Sequence, residues 1–312
     1  MLDTCGREVR TLRLSVTEAC DLRCRYCMPG GVTLSRGAPL TAGEIMAIAQ
    51  GAAQLGINKI RLTGGEPLIR NDIVEICEGI SRIAGIASLC ITTNGTRLAG
   101  LAPALAGAGV QRLNLSLDSL DESRYRSLTR GGELATVLAG LEAALAAGFE
   151  RIKINCVLIG GVNDSEIEAF VALTVRWPVD VRFIELMPMG ECTGWPPERF
   201  MHAEEVLQRC PMLAPIDAEG VAARYRLPGA RGAVGLIRPM SHAFCGECDR
   251  IRITADGMLK PCLHSGTEIN LRGLTGDALL QALAQGIGEK PTSHHLESGH
   301  SDTDRRMNQI GG

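Results

Sequence analysis

Residues 143–159, AALAAGFERIKINCVLI, read as the last turns of an Ala-rich helix, a glycine that ends it, and a short buried strand. The same design recurs as GAAQLGINKIRLTGG at 51–65 and PALAGAGVQRLNLSLD at 103–118. Gly56, Gly109 and Gly148 stand where a helix closes through a left-handed residue. Working outward, strands are predicted at 12–16, 59–63, 89–92, 112–117, 152–159 and 181–186. Helical patterns fill the gaps, for example 41–55, 72–84, 99–108 and 133–147. Strand–helix units in succession imply a parallel sheet. No GxGxxG follows the first strand, which argues against a doubly wound dinucleotide fold. A complete eight-unit barrel takes about 250 residues, and only six units are read here. The predicted class is therefore α/β: an incomplete (βα)6 TIM-like barrel over 1–190, then a C-terminal α+β extension over 191–312.

The extension begins in the loop-like ECTGWPPERF, 191–200. Strands are predicted at 224–227, 234–237 and 251–254, with a turn at Ala255-Asp256-Gly257 leading into 258–263. The last helix is expected over 277–285. By composition the polar tail, 290–312, reads as a disordered end.

Composition narrows the function classes. Of 312 residues, 45% are apolar and 21% charged, so a sizeable core is expected and global disorder is not. The balance of 32 basic and 35 acidic residues offers no basic field for nucleic acid. Aromatics at 3% are too few for a stacking surface. No apolar run reaches the roughly 18 residues of a membrane span, and MLDTCGREVR lacks a signal-peptide core. A cytoplasmic protein without membrane or nucleic-acid partners is expected. In that compartment the 12 cysteines are not expected to form structural disulfides. Cys5, Cys77, Cys90, Cys156, Cys192 and Cys210 stand alone and read as small buried hydrophobes. The other six fall in two clusters.

Cys20, Cys24 and Cys27 lie just after the first strand, at the end where parallel α/β folds place their active sites. Three converging thiolates suit a soft metal, including a zinc completed by a ligand from elsewhere in the chain, or an iron–sulfur cluster, on which three ligands leave one iron open. A structural zinc takes four ligands, and the nearest histidine in sequence is His202. Cys245, Cys248 and Cys262 form a second triplet around the 251–263 hairpin. Here His264 is a candidate fourth ligand, so a zinc ribbon stands beside a second cluster. Other strand ends also carry polar or glycine-rich segments: TGGEP at 63–67, TTNG at 92–95, SLD at 116–118 and ELMPMG at 185–190.

CDLRCRYC at 20–27 resembles the CxxxCxxC signature of radical S-adenosylmethionine enzymes, and Gly64-Gly65-Glu66-Pro67 matches their cofactor-ammonium segment. Within that superfamily the chain resembles the GTP 3′,8-cyclases of molybdenum cofactor biosynthesis from about Gly6 to Gly312. The matching segments are LRLSVTEACDLRCRYCMP, KIRLTGGEPLIR, ITTNGTRL, LNLSLDSL, FIELMPMG, FCGECDRIRITADGMLKPCL and the terminal MNQIGG. Glu18-Ala19 departs from the Asp and basic residue often found before the first cysteine.

The resemblance implies two [4Fe–4S] clusters, one on each triplet, with S-adenosylmethionine on the first and the guanine of GTP on the second. It implies a lyase that makes (8S)-3′,8-cyclo-7,8-dihydroguanosine 5′-triphosphate. Cofactor contacts map onto Tyr26, Gly64, Gly65, Glu66, Ser116 and Met187. GTP contacts map onto Arg13, Arg61, Thr92, Lys153, Arg250, Ile251 and Arg252. Arg250 and Arg252, with the tail residues Gly311 and Gly312, are the expected catalytic set. Basic residues inside apolar strands, as at Arg13, Arg61 and Lys153, are costly unless they line a cavity or are paired. A homodimer, an electron-donor protein and a downstream cyclic pyranopterin monophosphate synthase are the implied partners. Two alternatives stand: a radical peptide maturase with an auxiliary cluster, and a zinc-dependent binding module.

Overall fold

The computed structural model describes residues 1–28, 37–294, 296 and 301–311. The six expected strands are β1 (Thr11–Ser15), β2 (Lys59–Thr63), β3 (Ser88–Thr93), β4 (Arg112–Ser116), β5 (Arg151–Leu158) and β6 (Val179–Glu185). Each pairs in parallel with the next. Between them run α1 (Ala42–Gln54), α2 (Ile73–Ser81), α3 (Leu98–Gly107), α4 (Glu122–Thr129), α5 (Leu134–Ala147) and α6 (Ile167–Arg176). Thr41 and Glu44 close a capping box at the start of α1. Gly56, Gly109 and Gly148 take φ of +89°, +88° and +79° after α1, α3 and α5, the backbone region in which a Cβ is strained.

The chain continues through α7 (Glu205–Arg209), β7 (Ala214–Glu219), β8 (Ala222–Arg226), β9 (Val234–Ile237) and β10 (Arg250–Ile253). Then come β11 (Met258–Lys260), β12 (Ile269–Asn270), α8 (Gly276–Gly288) and α9 (Met307–Ile310). These later strands extend the first sheet rather than building another. β9 adds in parallel to β6, and β10 in parallel to β1. Antiparallel pairs, β11 with β12 and β8 with β7, lengthen the two ends. The strand expected over 258–263 stops at Lys260, which leaves Cys262 in the turn beyond it.

Alternation along the strands sorts residues onto two faces. Leu12, Leu14, Leu62, Leu113, Leu115, Ile154, Val181, Phe183 and Ile253 are fully buried on one face, within a single hydrophobic core. Each such side chain contributes about 1.5–3 kcal/mol on burial. The other face carries Arg13, Arg61, Asn114, Lys153, Asn155, Arg182, Arg250 and Arg252. A parallel sheet with both faces in a core reads as continuous hydrophobic runs; this one is polar on one side.

The tail corrects the reading from composition. Arg305 is 3% exposed and forks onto Asp256 at 2.9 and 3.0 Å, while Ile310 is fully buried. Residues 301–311 are therefore tied down by isolated contacts that no hydrophobic period announces. Among the described residues no helix is long and apolar enough to cross a membrane.

Candidate active site

The first triplet sits in the loop leaving β1, pinned by Arg23 and Arg25 N–H bonds to the carbonyls of Thr129 and Leu128. Burial raises all three thiols, Cys20 to about 11 and Cys27 to about 12, and the sulfurs oppose one another's ionisation. Such a set favours a bound cationic centre that draws the charge from the thiolates. Gly64 and Gly65 face this loop closely. A Cβ on Gly64 would lie 2.3 Å from the Thr17 carbonyl oxygen, and one on Gly65 would lie 2.2 Å from that of Ala19. The two strand-end loops touch backbone to backbone, as only glycine allows. Gly65→Ala is expected to push them apart and lower the S-adenosylmethionine cleavage that the resemblance implies about 10²-fold, the cost of a misplacement near 1 Å. A 5′-deoxyadenosine assay checks this.

Glu66 is 1% exposed and turned inward. Its carboxylate accepts from Leu68 N at 2.9 Å, Thr93 Oγ1 at 2.7 Å and Asn94 N at 2.6 Å. Asn94 Nδ2 in turn reaches Cys20 Sγ at 3.7 Å. Glu66 therefore orders the β2 and β3 ends around the triplet. Burial pushes its pKa up to about 7 against those donors. Tyr26 Oη donates to Asp118 at 2.8 Å, and Ser116 ends β4 on the polar face. Met187 lies half-buried in the segment after β6.

The second triplet brackets β10. Burial opposes the Cys248 thiolate, but Arg250 and Lys290 outweigh it and bring the thiol down to about 7. His264 is buried, with Nδ1 3.0 Å from Ser301 Oγ. Burial and the neighbouring His294 push its pKa down to about 3. Thiolates sharing one zinc lie about 3.8 Å apart, from bond lengths near 2.3 Å. Among the described residues neither cysteine triplet brings all three of its sulfurs within 4.8 Å of one another. Soft donors at wider spacing fit a larger cluster better than a single ion.

The set that does meet that spacing is Glu185, His202 and Glu204. Its acids are already engaged. Glu185 accepts from Ala203 N at 3.1 Å and from Met240 N and Ser241 N, both at 2.9 Å, and Glu204 pairs with Arg238 at 2.6 Å. These bonds strap the segment leading to Cys245 against the end of β6.

Between the triplets lies the polar sheet face. Arg252 stands opposite Arg13, and Arg13 opposite Arg61, on adjacent strands. Burial and then Arg252 and Arg61 drive the Arg13 guanidinium well below its usual range. Burial and Arg250 bring Arg252 down to about 9. Like charges at such spacing call for an anion. Buried polar atoms without partners cluster on this same face: Arg13 Nε, Arg61 Nε, Thr63 Oγ1, Thr92 Oγ1, Asn114 Nδ2 and Asn155 Oδ1. Orphaned groups in such number mark a surface built for a polar ligand. Ile251, between Arg250 and Arg252, turns its side chain to the apolar face and is fully buried.

Lys153 has a partner already. Its Nζ lies 3.0 Å from Glu219 Oε1, which Arg151 also meets at 2.9 Å. Arg182 stands 3.6 Å from the same carboxylate and faces the Arg61 charge. Arg182, outside the set implied by the resemblance, carries the same signal as Lys153: a basic residue alternating with apolar ones in a parallel strand. Burial opposes the Glu219 charge, but Lys153, Arg151 and Arg182 lower its pKa from 4.5 to about 2. A depressed carboxylate stabilises the fold above its unfolded pKa and loses that contribution as pH falls. Denaturant unfolding between pH 4.5 and 2 is expected to show a smaller loss of stability in Glu219→Gln than in the unmodified chain.

The tail joins the two ends of this face. The Asn308 backbone favours the Cys27 thiolate against its burial, and Arg252 Nη1 donates to the Gly311 carbonyl. Arg252 in turn feels the charges of Cys248 and Cys262. A span of four residues, 308–311, thus bridges from one triplet to the guanidinium beside the other. Gly312 lies outside the described residues.

Residues 14–174 match the Radical SAM superfamily, and 179–296 match the family Molybdenum Cofactor Synthesis C. Over 320 residues the chain is 46% identical to a GTP 3′,8-cyclase of Alkaliphilus oremlandii, with both chains covered in full. It is 47% identical to one from Alkaliphilus metalliredigens over the same span. The chain belongs to the GTP 3′,8-cyclase family. Among solved structures, Streptococcus suis SuiB bound to S-adenosylmethionine aligns with a TM-score of 0.62 at 15% identity. That alignment covers 88% of this chain and 63% of SuiB, and shows shared fold alone. Membership of the GTP 3′,8-cyclase family makes the chain a radical enzyme and displaces both alternatives, the peptide maturase and the zinc module.

Proposed function

We propose that this chain converts GTP to (8S)-3′,8-cyclo-7,8-dihydroguanosine 5′-triphosphate, the first step of molybdenum cofactor biosynthesis. The observation that carries the reading is the guanidinium row beside the second triplet, with Arg252 buried and Arg13 and Arg61 half-buried, which adjoins a face of orphaned polar atoms. Cys20, Cys24 and Cys27 would hold a [4Fe–4S] cluster, which would supply the electron for S-adenosylmethionine cleavage, and Cys245, Cys248 and Cys262 would hold a second, which would bind guanine. Tyr26, Gly64, Gly65, Glu66, Ser116 and Met187 border the cofactor in this reading. Arg13, Arg61, Thr92, Lys153, the 250–252 strand and the neighbouring Arg182 hold GTP. The triphosphate, carrying about four negative charges, neutralises the guanidinium row and competes with Glu219 for Lys153. Fixed donors hold the ribose and base in one orientation and exclude water, which is the protein's share of the catalysis. In the substrate, hydrogen leaves C3′, the C3′–C8 bond closes, and one electron and one proton complete the reduced ring.

We assign 1–190 to the cofactor-cleaving partial barrel and 191–312 to the second cluster, with GTP held by 250–252 together with Arg13, Arg61, Thr92, Lys153 and Arg182 from the barrel strands. A cytoplasmic homodimer, fed by an electron-donor protein and followed by cyclic pyranopterin monophosphate synthase, fits the same reading. Metal analysis of anaerobically purified chain tests it: about eight irons are expected, four per cluster, and about one or two zincs with no iron would overturn it. Arg252→Met is expected to weaken GTP binding about 10- to 100-fold, the loss of a charged hydrogen bond, while S-adenosylmethionine still binds. The fold is expected to tolerate it, because it removes a like charge from Arg13 and Arg250. Unchanged GTP affinity in calorimetry would refute the phosphate assignment.

A further inference from the structure

We propose that Lys290 is a positioning residue of the second triplet, its ammonium set against the Cys248 sulfur so that it tunes the reduction potential of the cluster bound there. The proposal rests on the reading that Cys245, Cys248 and Cys262 hold a cluster.

Lys290 is 3% exposed. Its ammonium has three protons, and they meet three acceptors: Cys248 Sγ at 3.3 Å, Arg250 O at 2.9 Å and Pro261 O at 3.3 Å. One side chain therefore ties both arms of the triplet, the turn ending in Cys248 and the turn entering Cys262. These acceptors are a sulfur and two carbonyl oxygens. A buried ammonium held by such groups calls for an anion nearby, which a thiolate-ligated cluster supplies.

The lysine is itself held. Arg7, 8% exposed, donates through Nη2 to the carbonyls of Lys290 at 3.2 Å and Pro291 at 2.7 Å. Its Nη1 donates to Cys245 O at 2.8 Å, and its Nε meets Asp3 Oδ2 at 2.5 Å. The N-terminal segment thus clamps the 290–292 segment and the Cys245 turn together. A rigid donor and charge at a ligand sulfur act on a cluster's potential as well as on its seating. The sign is fixed: a positive group stabilises the reduced, more negative state and raises the potential.

The test is a redox titration of the full-length, iron-loaded chain, followed by electron paramagnetic resonance. Lys290→Met is expected to keep about eight irons per chain, four per cluster, and to shift the second cluster's midpoint potential to more negative values. Lys290→Arg, which keeps the charge, is expected to return the potential most of the way to that of the unmodified chain. Full iron with an unchanged potential in Lys290→Met overturns the proposal and leaves the cluster reading standing. Unmodified chain with only the first cluster's iron overturns both. Should Lys290→Met fail to fold, the unmodified chain decides: grown with isotopically labelled lysine, it is expected to show a lysine-nitrogen coupling in the pulsed spectrum of the reduced second cluster, and a missing coupling refutes the contact.

Discussion

Cys24→Ser is expected to abolish 5′-deoxyadenosine formation, with a loss well beyond the roughly 100-fold typical of supporting residues around a metal. Cys24 lies in the turn shared with Cys27, whose N–H donates to the Cys24 carbonyl at 3.0 Å, and Cys27 and Cys20 are near enough to oppose its ionisation. Serine keeps the shape and removes the soft donor. The second triplet lies on another loop, so about four irons are expected to remain per chain, and GTP is expected to bind as before. Iron analysis, GTP calorimetry and cofactor cleavage, measured together, separate this from general unfolding. Cleavage at the unmodified rate would show that Cys24 is no ligand.

Gly311→Ala is expected to lower cyclisation by about 10²-fold or more, the scale of a misplaced catalytic group, with little change in thermal midpoint. Gly311 has φ of +79°, and a Cβ there would lie 2.1 Å from Thr63 Oγ1. Thr63 belongs to the polar face and lacks a partner of its own. The added methyl therefore expels the tail from its seat between Ser15, Thr63 and Arg252, while the core packs as before. Product formed per 5′-deoxyadenosine is the informative ratio. It is expected to fall, since the loop carrying Cys20, Cys24 and Cys27 keeps its bonds to Thr129 and Leu128. A normal ratio at a normal rate would leave the tail without a role in turnover.

The barrel was legible because helix-closing glycines and apolar strands repeat, and local rules decide both. The strands at Val234–Ile237 and Arg250–Ile253 were also visible as strands. Their placement beside β6 and β1 was not, because pairing across more than fifty residues leaves no local pattern. The cysteine triplets stood out through spacing alone. Arg13, Arg61 and Lys153 stood out as charges where apolar residues were due. Arg182 carries the same mark. The inward turn of Glu66 and the Glu219 counter-charge were out of reach, since each depends on partners from distant elements. The tail was misread from composition because one buried arginine and one isoleucine, rather than a hydrophobic stripe, hold it.

The central claim is that two clusters serve one chamber in which GTP is cyclised. Its most direct test is anaerobic incubation of the iron-loaded chain with S-adenosylmethionine, a strong reductant and GTP deuterated at C3′, followed by mass analysis. Deuterium is expected in 5′-deoxyadenosine, with a cyclised triphosphate in equal amount. Undeuterated 5′-deoxyadenosine beside unchanged GTP would contradict it.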